Sequence, residues 1–135
     1  MAKILVVDDD TAVQMTIRLL LERAGHNVEV AGDGQKGVAA FENGNFDLLF
    51  LDIFMPGMDG LETMRHVQRQ RPTIPIIVIS GRPLVQDAAA EPDFLAIAIK
   101  LGAVSSLPKP FKPAALLATV EGCLKARERN VSSGC

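Results

Sequence analysis

The chain has 135 residues, a length that fits one compact domain. The chain has 14 Lys and Arg against 16 Asp and Glu, so it lacks the positive charge that is typical of a nucleic-acid-binding protein. It also has no Trp or Tyr, which removes most of the side chains that could stack on bases. The two cysteines have no metal-ligand spacing, and no apolar run reaches membrane-spanning length. We therefore predict a cytoplasmic protein with no direct contact to nucleic acid or membrane.

Five short apolar runs divide the sequence, and each has the length of a β-strand. They are Ile4–Val7, Val28–Ala31, Leu48–Leu51, Ile76–Ile79 and Ala103–Leu107. Three of them are continuous rather than alternating, which is typical of strands covered by helices on both faces. Successive runs begin about 20 to 28 residues apart, which is enough for a helical crossover between parallel strands. The pattern predicts an α/β fold with a doubly wound, five-stranded parallel sheet.

Residues with helical periodicity fill the segments between these runs. The first helix can be capped by Asp10 or Thr11 and can end at Gly25, because glycine tolerates a left-handed turn. Further helices are predicted at Gly34–Phe41, around the stripe of Leu61, Met64 and Val67, and from Pro113 with Leu116, Leu117, Val120 and Leu124 on one face. We expect the domain to cover residues 1–129 and residues 130–135 to form a disordered tail.

Polar side chains occur where the predicted strands end. They are Asp8, Asp9 and Asp10 after the first strand, then Asp52, Ser80 and Lys109 after the third, fourth and fifth. Ligands of such sheets bind beyond the carboxyl ends of the strands. Clustered carboxylates repel one another unless a cation joins them, and oxygen ligands without nearby His or Cys favour Mg²⁺ beside a phosphoryl group. Lys109 and Ser80 can then contact phosphoryl oxygens, and Asp52 can act as a nucleophile.

Each of these residues alone has a simpler explanation. A single Asp or Ser at a strand end is usually a helix cap or a turn residue, and a single Lys is usually a solvated surface charge. Their joint occurrence at successive strand ends of one sheet is what indicates a functional site.

Four motifs surround these residues. They are Val-Val-Asp-Asp-Asp at 6–10, Leu-Asp-Ile-Phe-Met-Pro-Gly-Met-Asp-Gly at 51–60, Ile-Ser-Gly at 79–81 and Lys-Pro-Phe at 109–111. In combination, and over Lys3 to about Arg127, the sequence resembles the receiver domain of two-component response regulators, in particular the single-domain, chemotaxis-type members. The resemblance implies a flavodoxin-like fold with strand order 2-1-3-4-5.

The resemblance also implies a role for each site residue. Asp52 would be the phosphoacceptor, and Asp8 and Asp9 would form the acidic pair that holds Mg²⁺ together with Asp52, with Asp9 as a direct ligand. The backbone carbonyl of Phe54 would complete the protein's share of the metal ligands.

Two further residues would contact the phosphoryl group. Lys109 would neutralise its oxygens, and the hydroxyl of Ser80 would be drawn toward it. Asp10 stands where the family varies, so helix capping is its better interpretation.

Three features depart from the family pattern. Ser106 replaces the aromatic side chain that usually lies three positions before the lysine, so the usual coupling of hydroxyl to aromatic ring cannot work unchanged. Phe54 and Arg82 flank the site at variable positions, and the ring of Phe54 is expected to slow hydrolysis of the phosphate. The stretch between the last two strands is roughly seven residues longer than usual, an insertion that we place at residues 82–92 in a surface loop.

The resemblance implies a phosphorylation switch. A sensor histidine kinase or histidine phosphotransferase protein would donate a phosphoryl group to Asp52, and the modified domain would bind a downstream protein differently. Because only about ten residues follow the last predicted helix, too few for a further domain, we expect a stand-alone receiver whose output runs through protein contacts.

Two alternatives remain open. One is a relay intermediate that passes the phosphoryl group on to a histidine phosphotransferase. The other, less favoured, is a Mg²⁺-dependent phosphohydrolase with an aspartyl-phosphate intermediate, which would need a general acid two residues after Asp52, where Phe54 stands. The domain is therefore expected to catalyse only its own phosphorylation and dephosphorylation.

The segment 93–101 is predicted as a helix that is apolar nearly all round. The inserted residues 82–92 would cover it with Leu84 and Val85, or a partner would do so. In the second case, a homodimer through this helix and the last helix is a further expectation.

Overall fold

The computed structural model describes residues 2–52, 60–80, 105–108 and 112–132, with the backbone alone for residues 61, 80, 105–108 and 126–132. The strands are β1 (Lys3–Val7), β2 (Asn27–Ala31), β3 (Leu48–Asp52), β4 (Ile76–Ser80) and β5 (Ser105–Pro108). The helices within these ranges are α1 (Thr11–Arg23), α2 (Gly34–Asn43), α3 (Gly60–Gln70) and α4 (Pro113–Ser132). None of the helices in these ranges is long and apolar enough to cross a membrane.

The five strands form one sheet in the order β2-β1-β3-β4-β5, and every neighbouring pair is parallel. β1 lies inside the sheet, with Ile4 level with Val28 on one side and with Leu48 on the other. Parallel neighbours require crossover connections, and α1, α2 and α3 provide them between β1 and β4. The α/β flavodoxin-like architecture expected from the sequence is confirmed.

The sheet separates two hydrophobic cores. Successive residues of a strand point to opposite faces, so Leu5 and Val7 join the core under α2 and α3, whereas Ile4 and Val6 join the core under α1 and α4. Both faces are buried, which explains why the runs in β1, β3 and β4 are continuously apolar. The carboxyl edge of the sheet is where these apolar runs stop.

The helix ends follow the predicted signals with small differences. Asp10 rather than Thr11 caps α1, and Gly25 has a φ of 95°, the left-handed conformation that ends the helix. α2 continues two residues beyond Phe41, to Asn43. β5 begins at Ser105, two residues later than the apolar run suggested.

The last helix is longer than the sequence indicated. α4 continues to Ser132 and so includes the first three residues of the segment expected to be a disordered tail. Lys, Ala, Arg and Glu make up residues 125–129 and favour a helix, and no Gly or Pro occurs between Gly122 and Gly134. The segments 82–92 and 93–101 lie outside the described residues, so the expectations about the insertion and the apolar helix remain predictions.

Gly37 sets how closely α2 approaches β1. A Cβ at this position would lie 2.7 Å and 3.0 Å from the two Cγ atoms of Val7, whose side chain is fully buried and stiff. We expect Gly37→Ala to lower the free energy of unfolding by about 1 to 2 kcal/mol in urea denaturation, because overpacking outweighs the gain in helix propensity.

Gly122 provides the matched control for this prediction. It also lies inside a helix, but a Cβ there would meet nothing within 4 Å. Gly122→Ala should therefore raise the free energy of unfolding by about 0.5 to 1 kcal/mol. Equal effects of the two substitutions would contradict the close approach of α2 to β1.

His26 gives the fold a dependence on pH. The backbone N–H of Ala2 donates to Nδ1 of His26 (3.3 Å), which requires that nitrogen to be unprotonated. Burial lowers the pKa of His26 in the folded protein, although the Glu121 carboxylate acts in the opposite direction. In the unfolded chain His26 has the ordinary pKa of about 6.5, so near that pH it binds more protons than in the folded protein. The contribution of neutral His26 to the free energy of unfolding is therefore lost as the pH falls.

We expect wild type to lose stability relative to His26→Gln as the pH is lowered from 7.5 toward about 5, in the range set by the ordinary histidine pKa. Urea denaturation at several pH values measures the difference. Parallel pH profiles would show that His26 does not contribute.

Candidate functional site

The register of the central strands brings two carboxylates to the same level of the sheet. Val7, the last residue of β1, is paired with Leu51 of β3. The next residues along the two strands are Asp8 and Asp52, and adjacent parallel strands end at the same edge of the sheet. The fold therefore places both aspartates at the carboxyl edge, as the sequence predicted.

Asp9 joins these two side chains to form what we call the acidic cluster, Asp8, Asp9 and Asp52. One carboxylate oxygen from each residue lies within 4.8 Å of the others. Asp8 is fully buried and Asp52 is 3% exposed, whereas Asp9 is exposed. The cluster thus has two buried members and one that faces the solvent.

Three hydrogen bonds fix the loop that carries Asp8 and Asp9. The backbone N–H of Asp8 donates to the carbonyl oxygen of Ala31 at the end of β2 (3.1 Å). Oδ1 of Asp8 accepts from the backbone N–H of Asp10 (2.9 Å). The main-chain oxygen of Asp8 accepts from Nε2 of Gln14 on α1. The loop between β1 and α1 is therefore anchored to β2 and to α1.

Asp10 has the capping role that the sequence favoured. Its Oδ1 accepts from the backbone N–H groups of Ala12 (2.9 Å) and Val13 (3.4 Å) at the start of α1. These N–H groups have no partner within the helix, so the cap stabilises its first turn. Asp10 is accordingly a structural neighbour of the acidic cluster and not a member of it.

The donor set of the acidic cluster fits a hard divalent cation. Two unit charges about 5 Å apart repel by roughly 3 kcal/mol at an effective dielectric constant of about 20. A cation between the carboxylates offsets this repulsion, and oxygen ligands are those that Mg²⁺ prefers. Mg²⁺ also keeps several water ligands, which suits a site open to solvent at Asp9.

The other predicted site residues are only partly described. Ser80 is the last residue of β4, one position beyond Ile79, which is level with Asp52. Its backbone therefore ends at the same edge as the acidic cluster, while its side chain lies outside the described part of the chain. Phe54 and Lys109 lie outside the described residues altogether, so their roles remain predictions.

Gln14 is the residue of this site that the sequence interpretation missed. It lies three residues before Ile17 and seven before Leu21, both fully buried, and it is half-buried itself. A polar residue next to the buried stripe of a helix was the available signal. Its partner, the main-chain oxygen of Asp8, lies six residues earlier in the chain and before the start of α1, so the stripe could not reveal it.

The fold and the acidic cluster together define a class of signalling domain. The chain matches the family described as response regulator receiver domain over residues 4–121. It therefore belongs to that family, as its motifs suggested, and is a receiver domain of two-component signalling rather than a classical enzyme.

The similar proteins place this chain among response regulators of several kinds. It is 37% identical over 123 residues to the response regulator MprA of Mycobacterium sp. (strain KMS), a match that covers 91% of this chain and 50% of that protein. The MprA of Mycobacterium avium (strain 104) is also 37% identical, with 51% of that protein covered. The chain thus spans about half the length of the curated relatives it matches.

Solved structures show the same fold. The chemotaxis protein CheY4 of Vibrio cholerae has a TM-score of 0.81 and 32% identity, and the match covers 92% of this chain and 99% of that one. NtrX from Brucella abortus, solved in complex with ATP, has a TM-score of 0.85 and 32% identity, with 97% of this chain and 29% of that one covered. The receiver fold of this chain is therefore shared with both short and long regulators.

The acidic cluster predicts that Mg²⁺ stabilises the fold. At a Mg²⁺ concentration about 100 times the Kd, binding to the folded state should raise the free energy of unfolding by about 2.7 kcal/mol. Asp9→Asn should remove most of this increment, because it takes one ligand from the cluster. Urea denaturation in Mg²⁺ and in EDTA measures this increment as the difference between the two free energies of unfolding.

Asp10→Asn is the matched control, since it removes the same charge one residue away while Asn still caps a helix. Its Mg²⁺ increment should equal that of wild type. Asp10→Ala should lower stability by about 1 kcal/mol through loss of the cap, again without a change in the increment. An equal loss of the increment in Asp9→Asn and Asp10→Asn would show that only net charge matters.

Proposed function

We propose that this receiver domain accepts a phosphoryl group on Asp52 from a phosphohistidine of a histidine kinase or a histidine phosphotransferase protein. In this step the bond between phosphorus and the histidine nitrogen breaks and a bond between phosphorus and an Asp52 carboxylate oxygen forms. The observation that supports the proposal is the convergence of Asp8, Asp9 and Asp52 at the carboxyl edge of the sheet.

The three carboxylates have different proposed roles, which follow from their burial and their hydrogen bonds. Asp8 is buried and one of its oxygens accepts from the Asp10 N–H, which leaves it the role of a fixed ligand. Asp9 is exposed and would complete the cation site from the solvent side, and the family resemblance implies the backbone carbonyl of Phe54 as a further ligand. Asp52, at the end of β3, is the nucleophile.

Charge explains why this site needs a cation. The acidic cluster alone would repel a phosphoryl group, which is itself negatively charged. Bound Mg²⁺ would supply the positive charge that offsets this repulsion and would stabilise the transferred group. Asp8, Asp9 and Asp52 would hold the ion, since their carboxylate oxygens are the type of ligand it requires.

Lys109 and Ser80 complete the proposed site from the neighbouring strands. The backbone supports this assignment, because Ser80 is paired with Pro108, the residue before Lys109. Both residues therefore follow or end strands at the edge that carries Asp52. Lys109 would contact the phosphoryl oxygens as a cation, and the Ser80 hydroxyl would donate to one of them.

The phosphorylated domain would then change its protein contacts. We propose a downstream protein target in the cytoplasm, and no chemistry beyond the domain's own phosphorylation and dephosphorylation. The kinase, the target and a homodimer through the 93–101 segment and α4 are parts of this proposal.

Phosphorylation by a small phosphodonor tests the role of Asp52. With acetyl phosphate and Mg²⁺, intact mass spectrometry should show the addition of one phosphoryl group to wild type and none to Asp52→Asn. EDTA should abolish the addition in wild type. Asp10→Asn is the control, because it changes a neighbouring carboxylate outside the acidic cluster and should be phosphorylated like wild type.

A mass increase that persists in Asp52→Asn, or that forms equally well in EDTA, would contradict the proposed site. Incubation of the phosphorylated protein with a histidine phosphotransferase protein separates a terminal switch from a relay. Transfer of the phosphoryl group to that protein, with loss of mass from the receiver, would identify the relay.

A further inference from the structure

Gln14 links α1 to the loop that carries Asp8 and Asp9 of the acidic cluster. Its Nε2 donates to the main-chain oxygen of Asp8. Because a carbonyl oxygen can only accept, the amide nitrogen of Gln14 rather than its oxygen must face Asp8. The same Nε2 would lie 3.9 Å from a Cβ placed on Gly32, so the side chain also reaches the loop after β2.

The three carboxylates of the acidic cluster are held in different ways. Asp52 belongs to β3, where it is level with Ile79 of β4. The Asp8 carboxylate accepts from the Asp10 N–H. Asp9 is exposed, and no described residue forms a hydrogen bond or ion pair with its carboxylate. The position of the Asp9 carboxylate therefore depends on the backbone that precedes it.

Gln14 holds that backbone. The peptide unit between Asp8 and Asp9 is planar, so the direction of the Asp8 carbonyl sets the direction in which the chain leaves toward the Asp9 Cα. A donor fixed on α1 thereby orients the one carboxylate of the cluster that has no other restraint among the described residues.

We propose that Gln14 is a positioning residue for the cation site, acting through the main-chain oxygen of Asp8 to hold Asp9 in the acidic cluster. The inference rests on the proposed function, since it concerns the same Mg²⁺ site. Residues that orient metal ligands without touching the metal typically contribute about 10-fold or more to affinity.

Gln14→Met tests the proposal, because Met has a similar length and no N–H donor. Gln35→Met on the exposed side of α2 is the matched control. Calorimetric titration of each metal-free protein with Mg²⁺ should give a Kd about 10-fold higher for Gln14→Met and an unchanged Kd for Gln35→Met. Urea denaturation in EDTA confirms that each variant folds, and Gln14→Ala serves as a second variant without the donor.

A double-mutant cycle shows whether Gln14 acts through Asp9. In an Asp9→Asn background, Gln14→Met should weaken Mg²⁺ binding by less than about 2-fold, because the ligand that it positions is already gone. Full 10-fold weakening in that background would overturn the proposal, since it would show a general effect on the loop.

The proposed function and this inference fail in distinguishable ways. If wild type neither binds Mg²⁺ nor accepts phosphate on Asp52, the proposed function falls and this inference falls with it. If wild type does both and Gln14→Met binds Mg²⁺ like Gln35→Met, only the positioning role of Gln14 is overturned.

Discussion

The acidic cluster requires like charges to be held close together in a largely buried place, and the rest of the fold makes this arrangement stable. Parallel pairing of β1 and β3 puts Asp8 and Asp52 level with each other. Apolar strands with helices on both faces supply the burial that offsets the cost of this repulsion. The three carboxylates therefore repel one another, and a bound cation would offset that repulsion.

The sequence pattern predicted an α/β fold and the edge that carries the acidic cluster, and the family resemblance added the strand order. Continuous apolar runs in β1, β3 and β4 follow from burial on both faces, and the polar residues after them mark the carboxyl edge. The choice between Asp10 and Thr11 as the cap, and the contact of Gln14 with Asp8, depend on local geometry that periodicity does not contain. The end of α4 was missed because charged helix formers also occur in disordered tails.

Asp10 shows why the loop after β1 behaves as one unit. Its backbone N–H binds the carboxylate of Asp8, while its own carboxylate caps α1. The start of a helix and the placement of a site carboxylate are therefore joined in a single residue, and Gln14 adds a second connection one turn later. Movement of α1 relative to β1 would therefore displace Asp8 and Asp9 of the acidic cluster.

The two cores have a consequence for how such a domain can diverge. A single layer of strands keeps the α1 and α4 side apart from the α2 and α3 side, and β1 sends alternate residues to each. A substitution in one core therefore has its direct packing contacts on that side of the sheet. The outer surface of each side can therefore change separately, while both sides share the edge that carries the acidic cluster.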